Sequence, residues 1–282
     1  MADLLKFRKN VTSQHGEDGI IERIFHVIGK GSWCVEFGAW DGKHLSNTWN
    51  LLVKKGWSGV LIEPDPKKYV ELQSRYKKYP RVYALREFVG LSGPTRLDAL
   101  LRKTPIPKDF DLLSIDIDGA EYHVWDSLRA YTPKVVVVEY NPSMPDDLAY
   151  VQAPDISVRQ GSSLLALTRL AKRKGYELVC TTETNGIYVH KKYFPLFGIA
   201  DNSVTALHWD RSHLTSLFQF YDGTLMLHGC DRLLWHGVKI DPSRIQVLPR
   251  PLRKFGNWTA DRVIGVLKHV RYYRRDWGSR KR

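Results

Sequence analysis

Apolar residues recur along this chain with two spacings that predict different elements. Between residues 13 and 28 they fall at helical spacing, at Ile20, Ile21, Ile24, Phe25 and Ile28. The acids Glu17 and Asp18 precede them, as is typical of the first turn of a helix. We therefore predict a helix over residues 13–28.

Seven short, mostly apolar runs follow this helix and predict β-strands. They lie at residues 33–37, 59–63, 81–85, 111–115, 134–139, 176–181 and 187–190. Several are apolar throughout rather than alternating, which indicates strands covered on both faces. Helical or loop segments separate most of them, including residues 66–79 and 162–174. This alternation predicts an α/β fold with a doubly wound sheet.

The alternating pattern stops near residue 194, and no low-complexity linker follows it. We expect an N-terminal helical cap over residues 1–30, a core domain over residues 31–194 and a C-terminal extension over residues 195–282. A chain of 282 residues with 43% hydrophobic content suffices for one large domain with an appendage.

The composition restricts the compartment and the partners. The net charge of +13 favours anionic partners such as nucleic acid, acidic glycans, lipid-linked substrates or an acidic membrane surface. Three widely separated cysteines form no disulfide framework and no metal knuckle, which is typical of a reducing compartment. No apolar run reaches the roughly 20 residues that span a bilayer. We expect a soluble, cytoplasmic protein, with peripheral membrane contact as an extension of that expectation.

The positive charge is concentrated at the C-terminal end. From Arg262 to Arg282 the sequence has eight lysines or arginines and one acid, Asp276. The apolar side chains of this segment fall on one helical face, at Val263, Val266, Leu267, Val270, Tyr273 and Trp277. A basic amphipathic helix can lie on an anionic membrane surface. The alternative is a helix packed on the domain with a solvated basic end.

The stretch SWCVEFGAWDGKHLSNT, residues 32–48, is a candidate binding loop. Its strand ends in Gly38, and Asp41 and Gly42 follow. In open α/β sheets ligands bind beyond the carboxyl ends of the strands, where glycines allow the backbone to approach closely. The loop lacks a G-x-G-x-x-G run and the chain lacks a P-loop lysine pattern, so we infer a ligand without a bound phosphate. The alternative is a glycine turn with solvated acids.

A second acid strengthens this interpretation. Glu63 ends the next predicted strand, 25 residues after Gly38. A carboxylate at that place can accept hydrogen bonds from both hydroxyls of a ribose. A ribose without a bound phosphate fits S-adenosylmethionine, in which a nucleoside is joined to an amino acid through a sulfonium.

Five motifs, in chain order, resemble the FkbM-like family of class I methyltransferases. They are SQHGEDGIIERIF, VEFGAWDGKHLSNT, GWSGVLIEPDP, LLSIDIDGAEYHVWDSL and VVVVEYNP, and the resemblance covers roughly residues 13–194. The resemblance implies a doubly wound, seven-stranded Rossmann-like methyltransferase sheet whose last strand is antiparallel. It also implies S-adenosylmethionine as methyl donor and O-methylation of hydroxyls on sugars or polyketides. This chain has Asp118 where the family more often has glutamate.

The resemblance assigns cofactor roles to residues of these motifs. Glu36, Gly38 and Gly42 should line the methionine end, Ser46 and Asn47 should lie close by, and Glu63 should hold the ribose. We add to this cofactor site Gln14, Ala39, Asp41, Pro64 and Asp116. Gln14 lies in a turn that we expect to close over the cofactor, with a helix cap by Ser13 as the alternative.

Candidate catalytic groups follow two neighbouring strands. Asp116 ends the fourth strand and Asp118 lies two residues on, while Glu139 ends the next strand and Asn141 lies two residues beyond it. Adjacent parallel strands lie about 4.8 Å apart, so these oxygens can share a hard cation. We predict a Mg²⁺ or Mn²⁺ site of Asp116, Glu139 and Asn141, which would lower the pKa of an acceptor hydroxyl.

Each of these residues has a second interpretation. Asp118 and Glu121 have the spacing of a capping box, and Asn141 precedes a proline as turn residues do. A carboxylate of this group or His123 could act as a general base without metal.

Three classes of function remain. We favour an O-methyltransferase acting on a sugar, glycan or lipid-linked saccharide. His208, His213, His228 and His236 stand among tryptophans and arginines that suit sugar contact, although such aromatics also form cores. The charge suggests an RNA methyltransferase, but no RNA-binding module is visible and EYNP is not the N/D-P-P-Y signature of base amino-group methylation. The third class is a non-catalytic binding protein with this fold.

Overall fold

The computed structural model of the protein describes residues 3–254, 262–263 and 265–266. The chain divides into two compact units, Met1–Arg211 and Ser212–Arg282. Within the described residues, no helix combines the length and the apolar character that a bilayer crossing requires. The predicted amphipathic tail lies almost entirely outside the described residues, and its basic end at 271–282 lies wholly outside them.

Seven strands of the first unit form one sheet. They are β1 (Trp33–Phe37), β2 (Ser58–Ile62), β3 (Val82–Leu85), β4 (Leu112–Ile115), β5 (Val135–Glu139), β6 (Tyr176–Thr181) and β7 (Asn185–His190). Their order is β3-β2-β1-β4-β5-β7-β6. Strand β7 runs in the direction opposite to the other six. The predicted doubly wound, seven-stranded Rossmann-like sheet is confirmed, and each predicted strand overlaps an observed one.

Within the described residues of the first unit, six α-helices accompany the sheet. They are α1 (Glu17–Ile28), α2 (Pro66–Tyr76), α3 (Leu97–Leu101), α4 (Glu121–Ser127), α5 (Leu164–Arg173) and α6 (Val204–Leu207), and a π-helical turn covers Asn50–Lys54. Helix α1 begins at Glu17, one of the two acids predicted in its first turn, because Gly16 has a left-handed backbone with φ +98°. Helix α4 begins only at Glu121 because Asp118 and Gly119 have φ values of +59° and +155°.

The core consists of two apolar layers, one on each face of the sheet. Val35 and Phe37 of β1 pack in the layer that includes residues of α3, α4 and α5. Cys34, from the same strand, packs in the layer that includes residues of α1, α2 and the π-helical turn. Because successive strand residues face opposite layers, both sets must be apolar. This explains the absence of hydrophobic alternation in the sequence.

The second unit contains two small antiparallel ladders within its described residues. Strands β8 (Thr215–Gln219) and β9 (Leu225–Gly229) form one, and β10 (Arg232–Leu233) and β11 (Val238–Lys239) form the other. Their side chains are mostly exposed, and His228 meets the ring of Phe218 edge-on.

Candidate functional site

The strand register aligns four predicted site residues in one row at the carboxyl edge of the sheet. Phe37 of β1 lies opposite Ile62 of β2 and Ile115 of β4, and Ile115 lies opposite Val138 of β5. The residues at the next position along each strand are Glu63, Gly38, Asp116 and Glu139. We call these four residues the carboxyl-edge row. Neighbours in such a row are separated by about 4.8 Å.

The two glycines of the β1 loop are required by contacts with protein groups. Gly38 has φ +72°, and a Cβ atom there would lie 2.0 Å from the carbonyl oxygen of Asp116. Gly42 has φ +76°, and its Cβ would lie 2.6 Å from the ring of Tyr76, whose hydroxyl donates to the Gly42 carbonyl at 2.7 Å. Both glycines let the loop pack closely, Gly38 on the end of β4 and Gly42 on α2.

Glu36 organises the end of the same loop from beneath. Its buried carboxylate accepts hydrogen bonds from the Ser46 hydroxyl at 2.6 Å, the Thr48 hydroxyl at 2.7 Å and the Asn47 amide at 2.8 Å. Burial raises the pKa of Glu36, although these donors oppose the rise. The Asn47 side chain in turn donates to Ser114 of β4 at 3.1 Å. Glu36 therefore fixes the positions of Ser46 and Asn47 beside the row.

Asp41 and Ala39 shape the exposed part of the loop. Asp41 accepts from the amides of Lys43 at 2.9 Å and His44 at 2.7 Å, and it pairs with Arg75 of α2 at 2.7 Å. Burial opposes ionisation of Asp41, but these donors outweigh it and lower its pKa. The buried Ala39 donates its amide to the Ile62 carbonyl at 3.2 Å. Both residues thus tie the loop to β2 and α2.

Glu63 is the residue of the row best placed to bind a ligand. It is buried, and its two carboxylate oxygens accept from the amides of Trp40 at 2.7 Å and Asp65 at 2.8 Å. Each oxygen has one such donor and can accept another. Asp65 caps α2 through the amides of Lys67 and Lys68, which holds the Glu63–Asp65 turn, with Pro64 exposed between them.

Trp40 stands beside Glu63 and was not among the predicted site residues. It has φ +50°, its side chain is 48% exposed, and the Lys68 ammonium lies 4.8 Å from its ring centre. An exposed tryptophan in a strained backbone next to a ligand-binding acid is a candidate for stacking on a planar ring. The signal in the sequence was a bulky aromatic residue between two loop glycines.

Three carboxylates converge at the other end of the row. Oxygens of Asp116, Asp118 and Glu139 all lie within 4.8 Å of one another. Asp116 and Asp118 are exposed and Glu139 is half-buried. Many protein atoms lie around Asp116, although the tip of its side chain reaches solvent. Three acids this close can bind a hard cation or take up a proton.

Burial and the crowding of these acids shift the titration of Asp116 and Glu139. Loss of hydration, followed by the charge of Asp118, raises the pKa of Asp116 to about 6, while a hydrogen bond with Glu139 opposes the rise. Burial, then the charges of Asp116, Glu121 and Asp118, raise the pKa of Glu139 well above its usual range. Asp116 and Glu139 therefore titrate as a pair.

Glu121 supports the loop that presents Asp118. Its buried carboxylate accepts from the amides of Gly119 at 2.7 Å and Ile117 at 3.1 Å. Burial raises its pKa to about 7 against these hydrogen bonds. The capping-box alternative for Asp118 and Glu121 does not describe this geometry, because α4 begins at Glu121 itself.

Two predicted catalytic or metal residues are engaged in other contacts. The Asn141 side-chain oxygen accepts from the Ser143 amide at 2.9 Å and hydroxyl at 2.6 Å, and its nitrogen donates to the Gln160 carbonyl at 2.8 Å. The ring Nε2 of His123 lies 2.8 Å from the Gln152 carbonyl. Asp118 joins Asp116 and Glu139 in the carboxylate cluster, while both polar groups of the Asn141 side chain are engaged in a turn.

The N-terminal loop that carries Gln14 is fixed at the carboxyl edge. Thr12 donates its hydroxyl to the Ser46 carbonyl at 3.0 Å, and Glu17 accepts from Thr182 at 2.6 Å and Asn185 at 3.0 Å. Asn185 lies opposite Glu139 in the sheet.

Gln14 itself is exposed and lines a cleft of about 400 Å³ together with His15 and Glu183. The alternative for this turn was a helix cap by Ser13. The Ser13 hydroxyl does accept a hydrogen bond from the Asp18 amide in the first turn of α1, at 3.0 Å, although Gly16 occupies the N-cap position.

Comparisons with known proteins identify the class of domain. Residues 94–178 match the family model described as the methyltransferase FkbM domain, so the resemblance stated from the motifs is confirmed. This segment includes β4, the Asp116–Glu121 loop, β5 and α5. A sequence search of curated proteins finds no match.

Similar solved structures include the CMeT domain of the citrinin polyketide synthase, with 12% identity, 62% of this chain and 51% of that chain covered, and a TM-score of 0.41. A SAM-dependent methyltransferase from Aquifex aeolicus shares 11% identity over 62% of this chain and 89% of that one, with a TM-score of 0.40. An O-methyltransferase family protein from Burkholderia thailandensis shares 10% identity over 61% and 55%, with a TM-score of 0.41. The chain spans about half the length of the first and third of these.

Proposed function

We propose that this chain, which carries a methyltransferase FkbM domain, is an S-adenosylmethionine-dependent O-methyltransferase that acts on a hydroxyl of a sugar, glycan or lipid-linked saccharide. The carboxyl-edge row carries this proposal. It separates Glu63 from Asp116 by two strand spacings, about 10 Å. One end of the row thus suits a nucleoside, and the other suits a reacting hydroxyl.

The residues at the Glu63 end fit the cofactor. The free acceptor positions of Glu63 match the two vicinal hydroxyls of a ribose, and the exposed ring of Trp40 lies next to them. Glu36 holds Ser46 and Asn47 towards β4, where they would border the amino-acid portion. The bound cofactor would supply an electrophilic methyl group on a sulfonium. The protein's part is to hold the ribose and to direct the methyl group along the row.

The residues at the Asp116 end fit a hard divalent cation. Asp116, Asp118 and Glu139 offer three carboxylate oxygens, the donors that Mg²⁺ and Mn²⁺ prefer. Such a cation would polarise the acceptor hydroxyl. Without a cation, Asp116 can act as the base: with a pKa of about 6 it is mostly ionised at neutral pH, within the range that suits proton abstraction.

A methyl-transfer assay tests the proposal. Purified protein would be incubated with S-adenosylmethionine labelled in its methyl group, Mn²⁺ and three separate acceptors: methyl glycosides, the polysaccharide fraction of the source cells, and total RNA. We expect label in a saccharide and at least 100-fold less with Asp116→Asn. Transfer into RNA that is lost in Asp116→Asn would favour the nucleic-acid alternative, and absence of cofactor binding by the folded protein would favour a binding role.

A further inference from the structure

A second cleft lies at the opposite, amino edge of the same sheet. It has a volume of about 910 Å³ and is bordered by residues that immediately precede three strands: Gly31 and Ser32 before β1, Gly56 and Trp57 before β2, and Arg81 before β3. We call it the amino-edge cleft. Strand β1 has five residues. At about 3.3 Å per residue it separates this cleft from the carboxyl-edge row by about 16 Å.

The lining of the amino-edge cleft is strongly basic. Six lysines and arginines contribute to it: Lys9, Arg23, Lys30, Lys54, Lys55 and Arg81. The lining has one acid, Glu22, which is already bound by the Lys55 ammonium at 3.1 Å and the Asn50 amide nitrogen at 2.8 Å. Burial opposes the ionisation of Glu22, but these partners outweigh it and lower the pKa. Glu22 therefore stays charged and remains hydrogen-bonded to Lys55 and Asn50. Six cations against one acid leave an excess of five positive charges for a ligand.

Arg23 is the cation most in need of an acceptor. Its Nε is buried and has no hydrogen-bond partner among the described residues. Its guanidinium lies 4.7 Å from the ring centre of Phe7, a contact that holds the group in place without accepting its protons. A buried, charged donor without an acceptor is destabilising, so an anion that reached Arg23 would remove this cost.

Aromatic side chains form a wall beside these cations. Phe7, Phe25 and Trp57 line the cleft, Phe7 is 42% exposed, and the rings of Phe25 and Trp57 meet edge-on with centres 4.8 Å apart. The apolar faces of sugar rings pack on aromatic side chains, whereas arginine and lysine bind phosphate. The volume is that of a small-molecule site rather than of a flat membrane contact.

We propose that the amino-edge cleft is a binding site for a phosphorylated saccharide, separate from the site of methyl transfer. Arg23 and the neighbouring lysines bind the phosphate, and Phe7 and Trp57 contact the sugar ring. None of these residues belongs to the carboxyl-edge row, so this proposal stands independently of the proposed transfer reaction.

Calorimetry with the full chain tests this assignment. Glucose 1-phosphate, glucose and inorganic phosphate are titrated separately at low and high salt. We expect glucose 1-phosphate to bind more tightly than either of the other two, and added salt to weaken it. Arg23→Gln should weaken it about tenfold, in line with the loss of a charge-assisted hydrogen bond. Lys30→Glu, at an exposed position that cannot disturb the core, should weaken it as well.

Matched changes on α5 provide the controls. Lys172 is exposed and does not line the cleft, so Lys172→Gln and Lys172→Glu should keep the wild-type affinity for glucose 1-phosphate. S-adenosylmethionine affinity, measured in every variant, should not change, which separates this proposal from the transfer site. The proposal is overturned if glucose 1-phosphate binds no better than glucose or phosphate, or if both cleft variants bind it like the wild type.

Discussion

The two edges of the central sheet carry opposite charge, although they belong to the same strands. At the carboxyl edge Asp116, Asp118 and Glu139 crowd together, and burial with this crowding raises the pKa of Asp116 and of Glu139. At the amino edge six cations face a cleft with one acid, which is already paired. The net charge of +13 therefore does not describe the candidate active site. At each edge, side chains of like charge repel one another. A bound cation would reduce this repulsion at the carboxyl edge, and a bound anion would reduce it at the amino edge.

The largest expected effect comes from Gly38, which follows β1 and packs against the backbone at the end of β4. Gly38→Ala places a Cβ 2.0 Å from the Asp116 carbonyl oxygen, and backbone atoms cannot move aside cheaply. We expect the free energy of unfolding to fall by about 3–5 kcal/mol, as measured by urea denaturation.

Gly29→Ala is the matched control. Gly29 also has a positive φ, +99°, but a Cβ there meets nothing within 4 Å. It should cost only the backbone strain, about 1–3 kcal/mol. Equal losses in the two variants would show that the contact between Gly38 and Asp116 does not matter.

The acid cluster should bind a divalent cation through three named carboxylates. Asp116→Asn combined with Glu139→Gln should weaken Mn²⁺ binding at least roughly 100-fold, since even changes to the partners of metal ligands cost 10–100-fold. Asp118→Asn should weaken it by a smaller factor. Asn141→Ala should leave it unchanged, because both groups of the Asn141 side chain are engaged in a turn. Wild-type Mn²⁺ affinity in Asp116→Asn would leave Asp116 as a metal-free base.

Glu121 should make the folded protein less stable as the pH rises. Its pKa is raised from 4.5 to about 7 in the folded state, so the folded protein binds this proton more tightly than the unfolded chain does. Stability from this group is complete below about pH 4.5 and is lost as the pH rises through 7.

Glu121→Gln keeps an acceptor for Gly119 and Ile117 but removes the charge. At pH 8 it should gain about 1–3 kcal/mol over the wild type, and at pH 4.5 nothing. Melting curves at both pH values measure this difference, with the exposed Glu71→Gln as control. A variant without this pH-dependent gain would show that burial of Glu121 is not costly.

The sequence predicted the features that depend on strand length and order. The apolar runs before Gly38, Glu63, Asp116 and Glu139 end at one register, so the proximity of Asp116 to Glu139 follows from adjacent parallel strands. The hydrogen bonds of the Asn141 side chain are made with Ser143 and with Gln160, nineteen residues away. They belong to a turn that hydrophobic periodicity does not predict. Asp118 has a left-handed backbone and lies before the start of α4, a conformation that its capping-box spacing with Glu121 does not predict.

The amino-edge cleft was missed for a related reason. Arg23 lies on α1, Lys30 and Arg81 lie in separate loops, and Lys54 ends the π-helical turn. Parallel strands bring these loops together at one edge. The dense basic run near the C-terminus forms a local pattern that sequence analysis can recognise. The basic residues of the cleft are spread over 73 positions, from Lys9 to Arg81, and form no such pattern.

Binding of S-adenosylmethionine is the most direct test of the central claim that the carboxyl-edge row is a cofactor and transfer site. Isothermal titration would compare the wild type with Glu63→Ala, with Glu63→Gln, and with Glu71→Ala as a charge-matched control on α2. Loss of hydrogen bonds to a charged group costs about 1.5–3 kcal/mol, so both Glu63 variants should bind at least roughly tenfold more weakly while Glu71→Ala binds normally. Folded Glu63 variants that bind S-adenosylmethionine like the wild type, or a folded wild type that does not bind it, would contradict this account.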